Sequence, residues 1–137
     1  MANRKKPDLT GTIKAIDKAL DKATALFLIN TRSKLSAASP LLTGRLASSW
    51  NIGRNSPDLS VPPERDKKGP VVMKDFGGKI EYGGRWFISS NLPYTFKAAY
   101  DPYSGRRGGG DWFTRIENSL ATDIQRVFDR ELAKAIK

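Results

Sequence analysis

The apolar residues near the start of the chain recur every three or four positions, which is the spacing of one face of an α-helix. This pattern predicts a long helix from about residue 8 to about residue 37. Pro7 and Asp8 suit its start, and Pro40 opposes its continuation. The apolar face consists of Leu9, Ile13, Ile16, Leu20, Ala23 and Phe27.

A second apolar stripe near the end of the chain predicts another long helix, over about residues 112–135. Asp111 stands where a helix N-cap is expected. Shorter helical segments are predicted over about 43–50, with Thr43 as the cap, and over about 93–99. The stripe of the last helix consists of Phe113, Ile116, Leu120, Ile124, Val127, Phe128 and Ile136.

Between the long helices the pattern becomes typical of β-structure. A possible first strand covers about 50–54, and three further strands are predicted over 71–76, 79–82 and 85–90. The glycine pairs 77–78 and 83–84 suit two-residue hairpin turns, which require positive φ, so the last three segments predict an antiparallel meander. The predicted fold class is therefore α+β: two long helices flank a small antiparallel sheet, and a long loop projects from it.

Three segments have too few apolar residues to pack into a core. Residues 1–7 are predicted to be a basic N-terminal arm, and residues 53–70, with four prolines, an extended projecting loop. Residues 101–110 are predicted to be a second extended loop, rich in glycine and basic. A chain of 137 residues suits one core, so 1–137 is predicted to be a single domain.

The composition excludes several kinds of chemistry. The chain has no histidine and no cysteine, which removes imidazole bases, thiolate nucleophiles, disulfides and zinc sites built from these residues. The longest wholly apolar run, residues 25–29, is far too short to span a membrane. The N-terminus lacks the apolar stretch of a signal peptide, so we expect the protein to be made and kept in the cytoplasm unless something carries it out. No cofactor is expected.

The charge favours an anionic partner. The 24 lysine and arginine residues outnumber the 14 aspartate and glutamate residues, for a net charge of +10. Such a balance suits nucleic acid or an acidic protein surface. No known DNA-reading module is recognisable, so sequence-specific readout is not expected. The basic candidates for an interface with DNA or protein are Arg65, Lys67, Lys68, Arg106, Arg107, Arg126, Arg130 and Lys134.

Two basic stripes are predicted on the long helices. Lys14, Lys18 and Lys22 repeat every four residues, as do Arg126, Arg130 and Lys134. Each stripe is either a solvated helix face or a surface that faces DNA or an acidic partner. Trp112, which follows the glycine-rich loop, is either a core residue or an interface anchor.

Two segments partly match catalytic or binding motifs, but neither match is favoured. The run 105–110 lacks the Gly-Lys-Ser/Thr ending of a nucleotide-binding loop, so a hinge or contact loop is preferred. Asp58, Asp66 and Lys68 match a loose metal-dependent nuclease pattern, in which two carboxylates hold Mg²⁺. That chemistry requires neighbouring strands, whereas these residues lie in a proline-rich loop, and Gly69-Pro70 opposes a strand after Lys68.

Two motifs resemble those of phage tail-completion proteins, the minor tail components that join head to tail in long-tailed double-stranded DNA phages. The run Pro40-Leu-Leu-Thr-Gly-Arg-Leu-Ala-Ser-Ser-Trp50 resembles the family signature Pro-x-x-Thr-Gly-x-Leu-x-x-Ser. The run from Ile88 to Tyr94 is similar to a family run with Asn and Pro-Tyr-Ala, with Thr95 where Ala is usual. The motif residues with structural roles are Thr43, Gly44, Leu46, Trp50, Asn91, Pro93 and Tyr94.

The resemblance implies a virion protein without catalysis, a tail completion or terminator component at the head–tail junction. It implies a homo-oligomeric ring, most often a hexamer, assembled in the host cytoplasm. The implied partners are the tail tube protein, a neck or head-completion protein, and double-stranded DNA that passes through the lumen without sequence recognition; no membrane is involved. A free-standing nonspecific DNA-binding protein remains the alternative, followed by a metal-dependent nuclease.

Overall fold

A computed structural model describes residues 9–39, 44–100 and 111–136, and the backbone alone at Lys97. Within these ranges the chain forms helix α1 (Thr10–Ala38), strand β1 (Asn51–Arg54), strand β2 (Trp86–Ser89), helix α2 (Thr95–Tyr100) and helix α3 (Trp112–Ala135). The predicted α+β class is confirmed, with two long helices and a small antiparallel sheet between them. The predicted arm 1–7 and loop 101–110 lie outside the described residues.

Helices α1 and α3 pack side by side in opposite directions. Lys34 of α1 reaches Asp123 of α3, and Lys22, three turns earlier, reaches Glu131, two turns later on α3. Several of the buried residues of α1 are small, which suits close packing against a neighbouring helix. The buried positions of α1 are Ala19, Ala23, Thr24, Leu28, Thr31, Leu35 and Ser36.

The main core lies where α1 ends and α3 begins. Trp50 and Trp112 meet edge to face, with ring centroids 6.2 Å apart and an interplanar angle of 80°. The Nε1 of Trp50 donates a hydrogen bond to Ser39 Oγ at 2.8 Å, and the Nε1 of Trp112 donates to Ala98 O at 3.1 Å. Both indoles are therefore buried with their polar atoms satisfied.

The predicted short helix over 43–50 is not an α-helix in its described part. Residues 44–50 form one tight turn, in which Ser48 N donates to Gly44 O at 3.0 Å and Ser49 N donates to Leu46 O at 3.0 Å. The turn leads directly into β1 at Asn51. The expected cap, Thr43, lies outside the described residues, and Leu46 and Trp50 are buried as predicted.

The predicted meander is wrong among the described residues, because only β1 and β2 pair. They run antiparallel, with Asn51 opposite Ser89 and Arg54 opposite Trp86. Gly53 and Arg54 therefore belong to a strand rather than to the predicted loop. The positive φ expected of a glycine pair occurs at Gly83 and Gly84.

The segments 71–76 and 79–82 instead form part of a coil, residues 71–85, that we call the strap. Side chains hold its backbone: Val72 N donates to Ser48 Oγ at 3.0 Å, and Lys74 O accepts from Arg32 Nη1 at 2.7 Å. Tyr82 N donates to Asp21 Oδ1 at 2.8 Å. Because side chains satisfy these groups, the β-like pattern does not produce a strand here.

The loop after β1 folds back over the motif residues rather than only projecting. Asn51 Nδ2 donates to Ser60 O at 2.7 Å, and Asn91 Nδ2 donates to Leu59 O at 3.2 Å. Arg45 Nε donates to Pro62 O at 3.1 Å. Side chains of the two motif regions thus fix the course of the first part of this loop.

Gly44 is expected to be essential for the turn that carries the first motif. Its φ is +88°, and an added Cβ would lie 2.9 Å from Gly69 O and 3.0 Å from Arg65 Nη1. We expect Gly44→Ala to lower the free energy of unfolding by about 1–3 kcal/mol in urea denaturation, because the backbone carbonyl cannot yield easily. Gly11→Ala is the matched control: it lies in α1 with open space around it and should stabilise by up to about 1 kcal/mol. Equal effects at both positions would contradict this account.

Candidate nucleic-acid interface

An open groove of about 480 Å³ between the two long helices is lined only by residues of α1 and α3. Five cations lie along this helix–helix boundary, each within 4 Å of a carboxylate from the same boundary. We call these cations and their two carboxylates the basic seam. Its members are Lys22, Lys34, Arg126, Arg130 and Lys134, with Asp123 and Glu131.

Asp123 holds the first group of cations. Its side chain is 12% exposed and accepts hydrogen bonds from Lys34 Nζ at 2.9 Å, from Ser119 Oγ at 3.1 Å, and from Arg126. The hydrogen bond from Lys34 lowers the pKa of Asp123 more than burial raises it. The carboxylate is thus ionised at neutral pH and orients two cations from different helices.

Glu131 holds the second group. Lys134 Nζ lies 3.3 Å from Oε1, Lys22 Nζ lies 3.6 Å from Oε2, and Arg130 Nε lies 3.8 Å from Oε1. Burial raises the pKa of Glu131. The hydrogen bond and charge of Lys134, together with the nearby Lys22, lower the pKa by more than burial raises it, so the net shift is downward. This carboxylate is buried, whereas its cations reach solvent.

The seam therefore presents positive charge and hides negative charge. The five cationic side chains are 49–65% exposed, and the two carboxylates are 12% and 4% exposed. Two carboxylates among five cations leave three uncompensated positive charges. Lys14 and Lys18 are exposed and precede Lys22 at four-residue spacing, so they extend the same helix face.

The dimensions suit a polyanion. From Lys22 to Lys34 helix α1 rises about 18 Å, the length of roughly five base pairs of duplex DNA. Exposed lysine and arginine side chains along such a length can contact successive phosphates, and phosphate contacts carry no sequence information. Asp21 accepts a hydrogen bond from Tyr82 N of the strap, whereas Asp17 and Asp129 are exposed beside the basic residues of the two helices.

The other predicted basic residues are not members of the seam. Arg65 donates to Pro70 O at 2.8 Å and packs against Gly44 and Gly69, so it supports the loop. Lys67 and Lys68 are exposed on the bend of that loop. Arg106 and Arg107 lie outside the described residues.

The remaining predicted residues divide between core and surface. Trp112 is 1% exposed, so the prediction of an interface anchor is wrong in this chain, and the alternative of a core residue is correct. Asn91 holds the loop through Leu59 O, Pro93 is exposed, and Tyr94 is 42% exposed.

The nuclease pattern lacks the geometry that it requires. Asp66 and Lys68 lie on a loop rather than on adjoining strands. Asp58 already accepts hydrogen bonds from Lys74 Nζ at 2.8 Å and from Ser60 N at 3.0 Å, and the first of these is the main cause that lowers its pKa to about 2. Across 9–39, 44–100 and 111–136 no group of three acidic residues could hold a metal ion.

The ion pair between Asp58 and Lys74 predicts an acid-sensitive part of the stability. Because the folded-state pKa of about 2 lies below the ordinary value of 3.8, the stabilisation is present above 3.8 and is lost as the pH falls towards 2. Asp58→Asn should destabilise near neutral pH, and its deficit should shrink in urea unfolding as the pH falls from about 5 to about 2. Lys74→Met should behave similarly, whereas Lys79→Met, at a more exposed lysine, serves as the control. A pH-independent deficit in Asp58→Asn would contradict the assignment.

Two functional features were missed by sequence reasoning. Asp123 and Glu131 flank Val127 at four-residue steps, so they interrupt the buried stripe of α3 at the positions that face α1. This spacing was the available signal for buried, paired acids. The exposure of Phe96 and Tyr100 was missed as well; the position of Phe96 between the polar residues Thr95 and Lys97 was the available signal.

No family model, curated protein or solved structure matches this chain. None of the described helices is long and apolar enough to cross a membrane.

Proposed function

We propose that this protein is a structural component of a phage particle that forms a ring at the head–tail junction. In this role it completes the tail, joins the tail tube to the neck, and lets double-stranded DNA pass without reading its sequence. The proposal combines the resemblance of the motifs 40–50 and 88–94 with one structural observation. That observation is the basic seam, about 18 Å long, on which the cations are exposed and the carboxylates are buried.

The seam supports a conduit for DNA better than a site that grips DNA. The buried carboxylates Asp123 and Glu131 hold the cations in fixed positions and cancel part of their charge. The resulting field is positive but moderate, and backbone-directed charge is tolerant of sequence. DNA that must move along a lumen requires such a surface.

The motif residues support the same role through the fold. Gly44 permits the turn, while Leu46 and Trp50 are buried beneath it. Asn91 and Arg45 hold the loop that follows β1. The motifs would thereby fix the surfaces that a neighbour contacts.

Deletion of the gene from a phage that carries it tests the proposal. We expect filled heads and separate tails that do not join, together with recovery on complementation in trans. Mass spectrometry of finished wild-type particles should detect the protein in a small number of copies. Its absence from purified particles, or normal joining after deletion, would refute the proposal.

The basic seam also favours a second candidate, a free-standing protein that binds DNA nonspecifically. The two candidates differ in the species that they form. At moderate salt, light scattering should show a ring-sized particle, or association with tail tubes, for the structural protein. A small species that binds DNA with a steep salt dependence, and ignores tail tubes, would support the alternative.

A further inference from the structure

The two carboxylates of the basic seam contact the same cations that a DNA phosphate would reach. Asp123 Oδ2 lies 2.9 Å from Lys34 Nζ, and Asp123 also accepts a hydrogen bond from Arg126. The side chains of Lys34 and Arg126 are 49% and 65% exposed, so both can also be reached from solvent. A phosphate that approaches this part of the seam therefore meets cations that already have an anionic partner.

A phosphate bound at Lys34 would repel the carboxylate of Asp123. A charge-assisted hydrogen bond from the lysine to a phosphate oxygen is about 2.8 Å long. Since Asp123 Oδ2 lies 2.9 Å from the same nitrogen, the phosphate oxygen would lie within about 6 Å of the carboxylate oxygen. Two negative charges at that separation repel, and solvent screens a largely buried carboxylate poorly. The carboxylate thus weakens the attraction of DNA to Lys34.

The cations also cannot easily leave Asp123 for DNA. The carboxylate is 12% exposed, so water can replace few of the contacts that it would lose. A buried, ionised carboxylate without its cationic partners is strongly unfavourable. Transfer of Lys34 and Arg126 to phosphates would leave Asp123 the hydrogen bond from Ser119 Oγ. Asp123 therefore opposes DNA binding whether its cations stay or leave.

Glu131 acts on the remaining cations of the seam in the same way. The Nζ of Lys134 and the Nε of Arg130 lie 3.3 and 3.8 Å from its Oε1, and the Nζ of Lys22 lies 3.6 Å from its Oε2. The side chain of Glu131 is 4% exposed. One buried carboxylate thus lowers the positive potential at three exposed cations.

We propose that Asp123 and Glu131 limit the affinity of this protein for DNA, so that removal of either negative charge tightens binding. The inference rests on the proposed function, because it requires that DNA contacts the seam, and it adds the groups that keep this contact weak. Both residues flank Val127 at four-residue steps on the buried side of α3. Apolar side chains there would pack without a charge to compensate. A weak contact suits DNA that moves, because each phosphate contact must break when the duplex advances.

Isosteric amides in the full-length chain test this inference. Asp123→Asn and Glu131→Gln keep the shape and a hydrogen-bond acceptor of each side chain but remove its charge. At about 0.1 M salt we expect Asp123→Asn to bind a duplex of unrelated sequence about tenfold more tightly, the contribution of roughly one phosphate contact. Glu131→Gln should change the affinity in the same direction. Fluorescence anisotropy of a labelled duplex gives Kd, and circular dichroism identifies folded variants.

Asp129→Asn is the matched control for net charge. Asp129 is exposed on the same helix, and within the part of the chain that the structure describes it forms no ion pair. If general attraction alone mattered, all three variants would gain affinity equally. We expect Asp129→Asn to gain less than about threefold, because solvent screens an exposed charge. The slope of log K against log salt should steepen by about 0.9 in Asp123→Asn and stay unchanged in Asp129→Asn.

Damage to the fold does not imitate the expected gain. A chain that lost the packing of α1 against α3 would no longer align its cations, so it would bind DNA less tightly. The inference is overturned if either folded amide variant binds DNA no more tightly than Asp129→Asn does. Weaker binding would show instead that the carboxylates orient the cations for DNA. If one amide variant does not fold, the other decides the question by the same comparison.

Failure of this inference differs from failure of the proposed function. Amide variants that bind DNA less tightly, in a protein that finished phage particles contain, would refute the inference and retain the proposed function. Tighter binding by both variants, in a protein that the particles lack, would retain the limiting role of the carboxylates and refute the structural role at the head–tail junction.

Discussion

Trp112→Ala should lower the free energy of unfolding by about 3–5 kcal/mol, which is a large part of the stability of a chain of this size. Trp112 is 1% exposed and meets both Trp50 and Phe113 edge to face, at 6.2 and 5.7 Å. Its removal leaves a cavity where α1, α3 and the first motif meet. It also removes the hydrogen bond that Ala98 O accepts. Urea unfolding, followed by circular dichroism, measures the loss.

Phe96→Ala is the matched control, because it also truncates an aromatic side chain near α2. Phe96 is 76% exposed, so we expect a change within about 0.5 kcal/mol. The first variant should therefore destabilise the fold strongly, and the second should leave its stability almost unchanged. A stable Trp112→Ala protein would show that the core does not depend on this indole.

The long helices could be predicted because each carries its apolar spacing over many turns. Helix α1 begins at Thr10 and ends at Ala38, close to the predicted bounds, and α3 matches residues 112–135. Such a stripe has no competing interpretation over this length. Local sequence therefore determines these two elements almost completely.

The sheet could be predicted only in part, because pairing depends on distant side chains. Residues 71–76 alternate like a strand, yet Ser48 and Arg32 bind the backbone of this segment first. No local pattern reveals hydrogen bonds to residues 24 or 42 positions away. The β-propensity of a segment expresses how well it suits a pleated surface, not whether a partner is present.

The candidate interface, like the sheet, could be predicted only in part. The cations of α3 were predictable as a stripe at four-residue spacing. Their environment was not, because it depends on the antiparallel packing that brings Lys22 and Lys34 beside α3. The burial of Asp123 and Glu131 follows from this packing. The two buried carboxylates form ion pairs that hold the exposed cations in place.

The second large effect is expected in DNA binding, and it distinguishes the seam from the basic loop. The triple variant Lys18→Gln, Arg126→Gln, Arg130→Gln removes three exposed cations of the seam face. Asp123 keeps Lys34 and Ser119, and Glu131 keeps Lys22 and Lys134, so neither carboxylate loses all its partners. We expect affinity for a duplex of unrelated sequence to fall on the order of 100-fold at about 0.1 M salt.

The salt dependence identifies the cause of that loss. Each phosphate contact contributes about 0.9 to the slope of log K against log salt, so the slope should fall by about three for the seam variant. The control triple Lys67→Gln, Lys68→Gln, Lys79→Gln produces the same change in net charge at exposed lysines elsewhere. If charge alone attracted DNA, the two triples would weaken binding equally. A greater loss of DNA affinity in the seam variant would indicate that DNA follows the α1–α3 boundary. A greater loss in the control triple would instead assign the contact to the loop and the strap.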